Sequence, residues 1–257
     1  MDLTISTLTL ESFLIVVVRT GCFLAVAPVF SDKAINARLK VLIAVCISVT
    51  IFSVMDTPLP VYETVLQYSM ILISEAALGL TMGFVASIIM SMLVMAGEFI
   101  DREIGFTMST TFDPSSGAMV TITAELYNKL IITIMLISNL HYYIIRALVR
   151  SFELIPAGNV SMNFPYIYSN VLGFFGQIFV VGFRIAMPIF IGTTMINVIL
   201  GVLAKSVPQM NMFAVGMQLK VMAGLAVLAV VIMFVPNITT YLVERMQDMV
   251  YTIIEGF

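Results

Sequence analysis

Residues 171–200 read VLGFFGQIFVVGFRIAMPIFIGTTMINVIL, a run whose only charge is Arg184 and whose only proline is Pro188. Such a run predicts a membrane-crossing helix. A bilayer core is spanned by about 20 apolar residues, and it leaves the backbone no water to bond. As a straight helix the run would reach roughly 45 Å against a hydrocarbon core of roughly 30 Å, so it must tilt, break or extend beyond the lipid. Pro188 adds a local constraint. Its ring crowds the carbonyl four residues earlier, that of Arg184, which predicts a kink beside a cation. Irregular backbone at membrane depth is tolerated only under cover of protein or water.

Five more apolar stretches lie outward from this one, at about 12–30, 39–55, 68–97, 126–145 and 215–235. About six hydrophobic segments, two of them overlong, therefore predict an all-α membrane protein of tilted, broken helical hairpins rather than a plain bundle in lipid. The connections carry turn chemistry: DTPLP at 56–60, FDPSSG at 112–117, and a segment from Pro156 to Pro165. No sequence repeat is evident, and residues 1–257 read as a single domain. A tail helix at about 241–254 places Leu242, Met246, Met249 and Ile253 on one face and Glu244, Arg245 and Asp248 on the other. That pattern suits an interface or a partner.

The composition agrees. Sixty per cent of the 257 residues are hydrophobic and 11% are charged, whereas a soluble domain carries about 25% charged residues. The net charge of −3 and the absence of any basic run exclude nucleic-acid binding as an expectation. Cys22 and Cys46 stand in apolar stretches and read as buried thiols rather than a disulfide or metal framework. Asp2 and Glu11 occupy the place of a basic n-region and Arg19 interrupts the first apolar run, so no cleavable signal is expected there. With the N-terminus outside, the inner segments hold Lys33, Arg38, Lys40, Arg102, Lys129, Lys205 and Lys220. The outer ones hold Arg146, Arg150 and Arg245. This asymmetry predicts both termini on the outer side.

Catalytic signatures are scarce. His141 is the only histidine, and no nucleotide-binding or nucleophile motif appears, so no enzyme, metal or cofactor site is expected. His141 sits among Asn139, Tyr142 and Tyr143, where an interfacial ring is the ordinary reading. Arg19, Glu75 and Arg184 interrupt apolar stretches, where a charge facing lipid costs several kcal/mol. Two readings stand side by side: a polar pathway or ion pair with a partner subunit, and an internal pair such as Arg19 with Glu75. Glu98 and Arg102 are four apart in the favourable order for a helix-end pair. Gly79 and Gly83 form a GxxxG, continued by Ser87 and Ser91, which predicts close helix approach. The twenty methionines suit either adaptable packing or a gasket around variable cargo.

Several of these stretches resemble the FliR family of type III export-gate subunits. Arg19 with Ala27-Pro28-Val29-Phe30 and Ala37-Arg38-Leu39-Lys40 is similar to the family's start. So is Leu80-Thr81-Met82-Gly83-Phe84 leading to Ala96-Gly97-Glu98-Phe99-Ile100. Gly105-Phe106, followed by Phe112-Asp113-Pro114-Ser115-Ser116-Gly117, resembles its central loop. The most specific match runs from Asn197 to Lys205, on through Pro208-Gln209-Met210-Asn211-Met212-Phe213 to Lys220. Virulence-type (injectisome) relatives share the DP and PQMN segments. Asn197 ahead of Leu200-Gly201, and the Ala-Gly-Glu stretch, look more flagellar.

The resemblance implies a non-enzymatic subunit of the flagellar basal body in the bacterial inner membrane, without cofactor. One FliR-like chain would assemble with FliP-like and FliQ-like subunits around a channel for unfolded export substrates, with FlhB-like and FlhA-like proteins engaging this core. It further implies a plug made by the central loop, here Gly105, Phe106, Met108, Phe112, Asp113, Pro114, Ser115, Ser116, Gly117 and Met119. Arg19, Glu75, Glu98, Arg184 and Pro188 are the charges and breaker expected to matter for assembly. Pro208, Gln209, Asn211, Phe213 and Lys220 mark the family segment. A secondary transporter is the rival from another class; solute uptake by the purified chain in vesicles would favour it.

Overall fold

The computed structural model describes residues 7–32, 35–55, 62–107, 121–206 and 212–257. Among these, the regular structure is all helical: α1 (Thr7–Val26), α2 (Ala37–Val54), α3 (Val65–Ile104), α4 (Ile122–Ile137), α5 (His141–Leu154), α6 (Phe164–Ser206), α7 (Met212–Ile232) and α8 (Val235–Ile254). Five of these helices are long and apolar enough to cross a membrane. The count reaches six if α4 and α5, which are bent by 73°, form one broken span. An all-α membrane protein of about six hydrophobic segments is thus what the chain builds.

The expectation of one continuous segment at 126–145 is corrected. Ser138-Asn139-Leu140 breaks it, with Asn139 in the left-handed region at φ 57, a conformation asparagine tolerates better than most residues. The two longest helices also exceed their sequence-level bounds. At 1.5 Å per residue, the 40 residues of α3 and the 43 of α6 span roughly 60 and 65 Å. Pro188 lies inside α6 without ending it.

The chain forms two compact units. The first comprises Met1–Ile89, Asn139–Phe174 and Val243–Phe257. Here α1 and the first part of α3 touch backbone to backbone, since a Cβ on Gly79 would lie 2.5 Å from the Arg19 carbonyl oxygen and one on Gly83 2.7 Å from that of Phe23. The GxxxG therefore marks a real close approach. Phe13 meets Phe52 edge to face at 5.6 Å, joining α1 to α2. The tail helix buries Met246, Met249 and Ile253 and exposes Glu244, Arg245 and Asp248. Its apolar face is used within the chain's own core, where an interface or partner was expected. The helix also begins earlier, at Val235. Ser161 and Asn163 donate their backbone N–H groups to the carbonyls of Phe257 and Gly256.

The second unit comprises Met90–Ser138 and Phe175–Leu242. Its core forms where the end of α3 meets α6 and α7. A Cβ on Gly182 would crowd Met92 and Met95, and one on Gly224 would lie 2.5 Å from Ile104. Phe99 meets Phe183 edge to face at 5.8 Å.

Much apolar surface stays uncovered by the chain itself. In α2, α6 and α7 most of the apolar stretch is left unburied by the chain, with Phe179, Ile191, Met195 and Val198 of α6 outward. Cys46 is on that exposed surface of α2, so only Cys22 approaches the buried thiol expected; both are free.

Candidate functional site

Two constellations organise the charged residues. In the first unit, Arg19 of α1 and Glu75 of α3 are wholly buried. The Arg19 Nε donates to one Glu75 oxygen at 2.5 Å and Nη2 to the other at 3.0 Å, the two-pronged geometry that suits guanidinium and carboxylate. Nη1 donates to the carbonyls of Ser151 (3.1 Å) and Ile155 (2.9 Å) at the C-terminal end of α5. The Ser151 carbonyl also accepts the Ile155 N–H at 3.0 Å, and a cation at this end of α5 meets the negative end of the helix dipole. Four of the five guanidinium donors are thus used, and the guanidinium carbon lies 4.2 Å from the centroid of the Phe152 ring. The Gly158 N–H donates to Glu75 at 2.7 Å. Glu75 thereby also fixes the turn after α5, where Gly158 takes φ 87. Of the two readings of the buried charges, the internal pair holds for Arg19 and Glu75.

The second constellation lies at the end of α3, and the sequence reading passed over it. Gly105 takes φ 100 and stops the helix. Its N–H and that of Phe106 return to the Asp101 carbonyl at 3.0 and 2.9 Å, as in a Schellman termination. The Asp101 side chain, 1% exposed, reaches across to the first turn of α4, where it accepts from the Thr123 N–H at 3.1 Å and from the Thr123 hydroxyl. One turn back on α3, a Cβ at Gly97 would fall on the backbone of Ala124. The expected helix-end charges Glu98 and Arg102 were visible in sequence; the inward turn of Asp101 was not. The signal available was spacing. Gly97, Asp101 and Gly105 stand four apart and share one helix face.

The remaining site residues scatter. Glu98 pairs with Arg102 at 3.7 Å on the surface, as the four-residue spacing predicted. Glu103 accepts from the Thr193 hydroxyl at 3.2 Å, joining α3 to α6. Arg184 and Pro188 are exposed on this chain, and among the described residues no carboxylate lies within 4 Å of Arg184. Enclosure of Arg184 by the chain's own helices, one sense in which its charge reads as buried, is therefore not found. Lys220 is half-buried on α7. Met108, Phe112, Asp113, Pro114, Ser115, Ser116, Gly117, Met119, Pro208, Gln209 and Asn211 lie outside the described residues, as does the side chain of Phe213. Among the described residues no three His, Cys, Asp or Glu side chains gather as metal ligands.

The family described as bacterial export proteins, family 1, matches residues 10–246. The chain is 27% identical over 245 residues to the flagellar biosynthetic protein FliR of Bacillus subtilis (strain 168), covering 93% of this chain and 94% of that one. It is 30% identical over 248 residues to the FliR of Aquifex aeolicus (strain VF5), covering 93% of each. With the FliR of Escherichia coli (strain K12) it shares 24% over 238 residues, covering 92% and 90%. A match over nearly the whole length, by a chain of apolar helices of membrane-crossing length, places it in one group: the chain belongs to bacterial export proteins, family 1, the flagellar biosynthesis and type III export family of the FliR proteins.

Proposed function

We propose that this chain is a non-enzymatic subunit of the flagellar protein export gate in the bacterial inner membrane, at the flagellar basal body. It assembles with FliP-like and FliQ-like subunits around a channel that carries unfolded proteins, and FlhB-like and FlhA-like proteins engage the assembly. Its two compact units act together as one export-gate domain, with both termini on the outer side.

The observation that carries this reading is α6. At roughly 65 Å it is about twice the thickness of the hydrocarbon core, yet little of its most apolar stretch is buried by the chain. Lipid alone cannot cover that length of apolar side chains, and Arg184 stands among them. Partner helices supply both the cover and the missing counter-charge. The connection from Gly105 through Phe112, Asp113, Pro114 and Gly117 to Met119 plugs the closed channel. Both of its flanks are fastened at Asp101, which suits a segment that must hold its place. The segment through Pro208, Gln209, Asn211 and Phe213 to Lys220 contributes to assembly.

The test is co-purification of the tagged chain with FliP-like and FliQ-like partners. Phe179→Glu and Val198→Glu, at exposed positions of α6, are expected to remove the complex while leaving the chain in the membrane. Complex yields equal to wild type from both variants would overturn the reading.

A further inference from the structure

An open groove of about 590 Å³ lies at the start of α3, within the first compact unit. Sites for small molecules run from about 300 to 1,000 Å³. One side of the groove is a single helical face, on which Glu63, Gln67, Met70 and Ile71 recur at three- and four-residue spacing over roughly 12 Å. The floor is the turn at Gly158. Its φ of 87 suits glycine, and a Cβ there would already touch Ile71 at 3.9 Å, so a missing side chain keeps the groove open.

The walls are held in place. The Gly158 N–H is fixed to Glu75 at 2.7 Å. Tyr62 donates its hydroxyl to Glu11 at 2.6 Å and sets its ring 5.1 Å from that of Tyr68. The Gln67 side-chain oxygen accepts from the N–H groups of Glu63 and Thr64 at 2.7 and 3.3 Å, and the Thr64 hydroxyl accepts from the Gln67 N–H in return. This reciprocal pair is a capping box. It spends the amide oxygen of Gln67 on the backbone and leaves the NH2 group to donate.

The chemistry changes along the groove. Glu63 and Gln67 make one end polar, while Met70 and Ile71 make the other apolar. Met70 and the neighbouring Leu66 are exposed, and they continue into the apolar surface of a helix long enough to cross a membrane. Tyr62 and Tyr68 stand at the start of that helix, where amphipathic rings mark the membrane boundary. A soluble ligand would leave the apolar end uncovered; a lipid with its head at Glu63 and its chains along Met70 covers both ends. Glu63 is exposed, and among the described residues no basic side chain lies within 4 Å of it. Its carboxylate favours a head that carries a cation over one that is only anionic.

We infer that this groove binds a phospholipid whose headgroup carries an ammonium, as in phosphatidylethanolamine. The ammonium pairs with Glu63, a phosphate oxygen accepts from the Gln67 NH2 group, and the acyl chains lie along Met70. The site stands independently of the export role.

The purified full chain is mixed in detergent with equal amounts of dioleoyl phosphatidylethanolamine and dioleoyl phosphatidylglycerol, and the retained lipid is counted by native mass spectrometry. The wild type is expected to retain phosphatidylethanolamine in preference. Glu63→Gln should lower that retention by roughly three- to fivefold, the scale of an exposed ion pair, and remove the preference. Met70→Trp, which fills the groove, should lower retention of both lipids. Leu42→Trp, at an exposed position of α2 outside the groove, should leave the wild-type pattern. Equal retention of the two lipids by the wild type, or wild-type retention by Met70→Trp, would overturn the site. A third result would overturn it too: phosphatidylethanolamine absent from the assembled complex, together with a complex yield lowered by Met70→Trp, would make the groove a contact between subunits.

Discussion

Arg19 and Glu75 form a buried two-pronged ion pair, 2.5 and 3.0 Å, that joins α1 to α3 and also fixes the end of α5 through Ser151, Ile155 and Gly158. Such a pair contributes less through its own attraction than its loss would cost, since removing one member strands the other charge. Glu75→Gln is expected to destabilise the purified chain by about 3–5 kcal/mol. Replacing both residues, as Arg19→Met with Glu75→Met, should cost clearly less than the sum of the two single changes. Thermal unfolding of the wild type, Glu75→Gln, Arg19→Met, Glu75→Met and the double variant in one detergent checks this. Additive effects would mean that the pair does not act as a unit.

Gly97 and Gly176 give opposite expectations. A side chain at Gly97 meets the Ala124 backbone, whereas a Cβ at Gly176 meets nothing within 4 Å on this chain. Gly97→Val should destabilise by about 1–3 kcal/mol through overpacking. Gly176→Ala should stabilise the isolated chain by about 0.5–1 kcal/mol, the ordinary gain of alanine in a helix. If Gly176→Ala also lowers complex yield, the open space at Gly176 is a partner contact. Paired measurements of melting and assembly separate the two effects.

The apolar runs made the helices legible, because hydropathy reports what can lie in lipid. Helix ends were less so. Glu98 and Arg102 suggested that the third apolar run ends at Gly97, but a helix tolerates charges on its exposed face. It stops at Gly105, where the backbone turns left-handed. Asn139 was read as part of an interfacial cluster although asparagine is also a helix breaker, and so the 73° bend between α4 and α5 was missed. Of the site, the internal partner of Arg19 could be suggested but not chosen, since pairing over 56 positions depends on tertiary packing. The inward turn of Asp101 depends on where α4 returns, which no local pattern encodes.

Arg184 is exposed on an apolar helix, and among the described residues no carboxylate pairs with it. In the assembled gate it should meet an acceptor from another subunit, because a charge facing lipid is costly. Arg184→Ala is expected to reduce the yield of complex severalfold with little change in the level of the chain, and Arg184→Lys to recover part of it. Wild-type yield from Arg184→Ala would show that its partner is water or lipid headgroup.

The plug proposed for the α3–α4 connection closes a protein-conducting channel. The most direct measurement is the ion conductance of membranes carrying the assembled gate with residues 110–117 deleted. The account predicts a complex of normal yield whose closed state leaks ions well above the wild-type level. Normal assembly with wild-type conductance would contradict it.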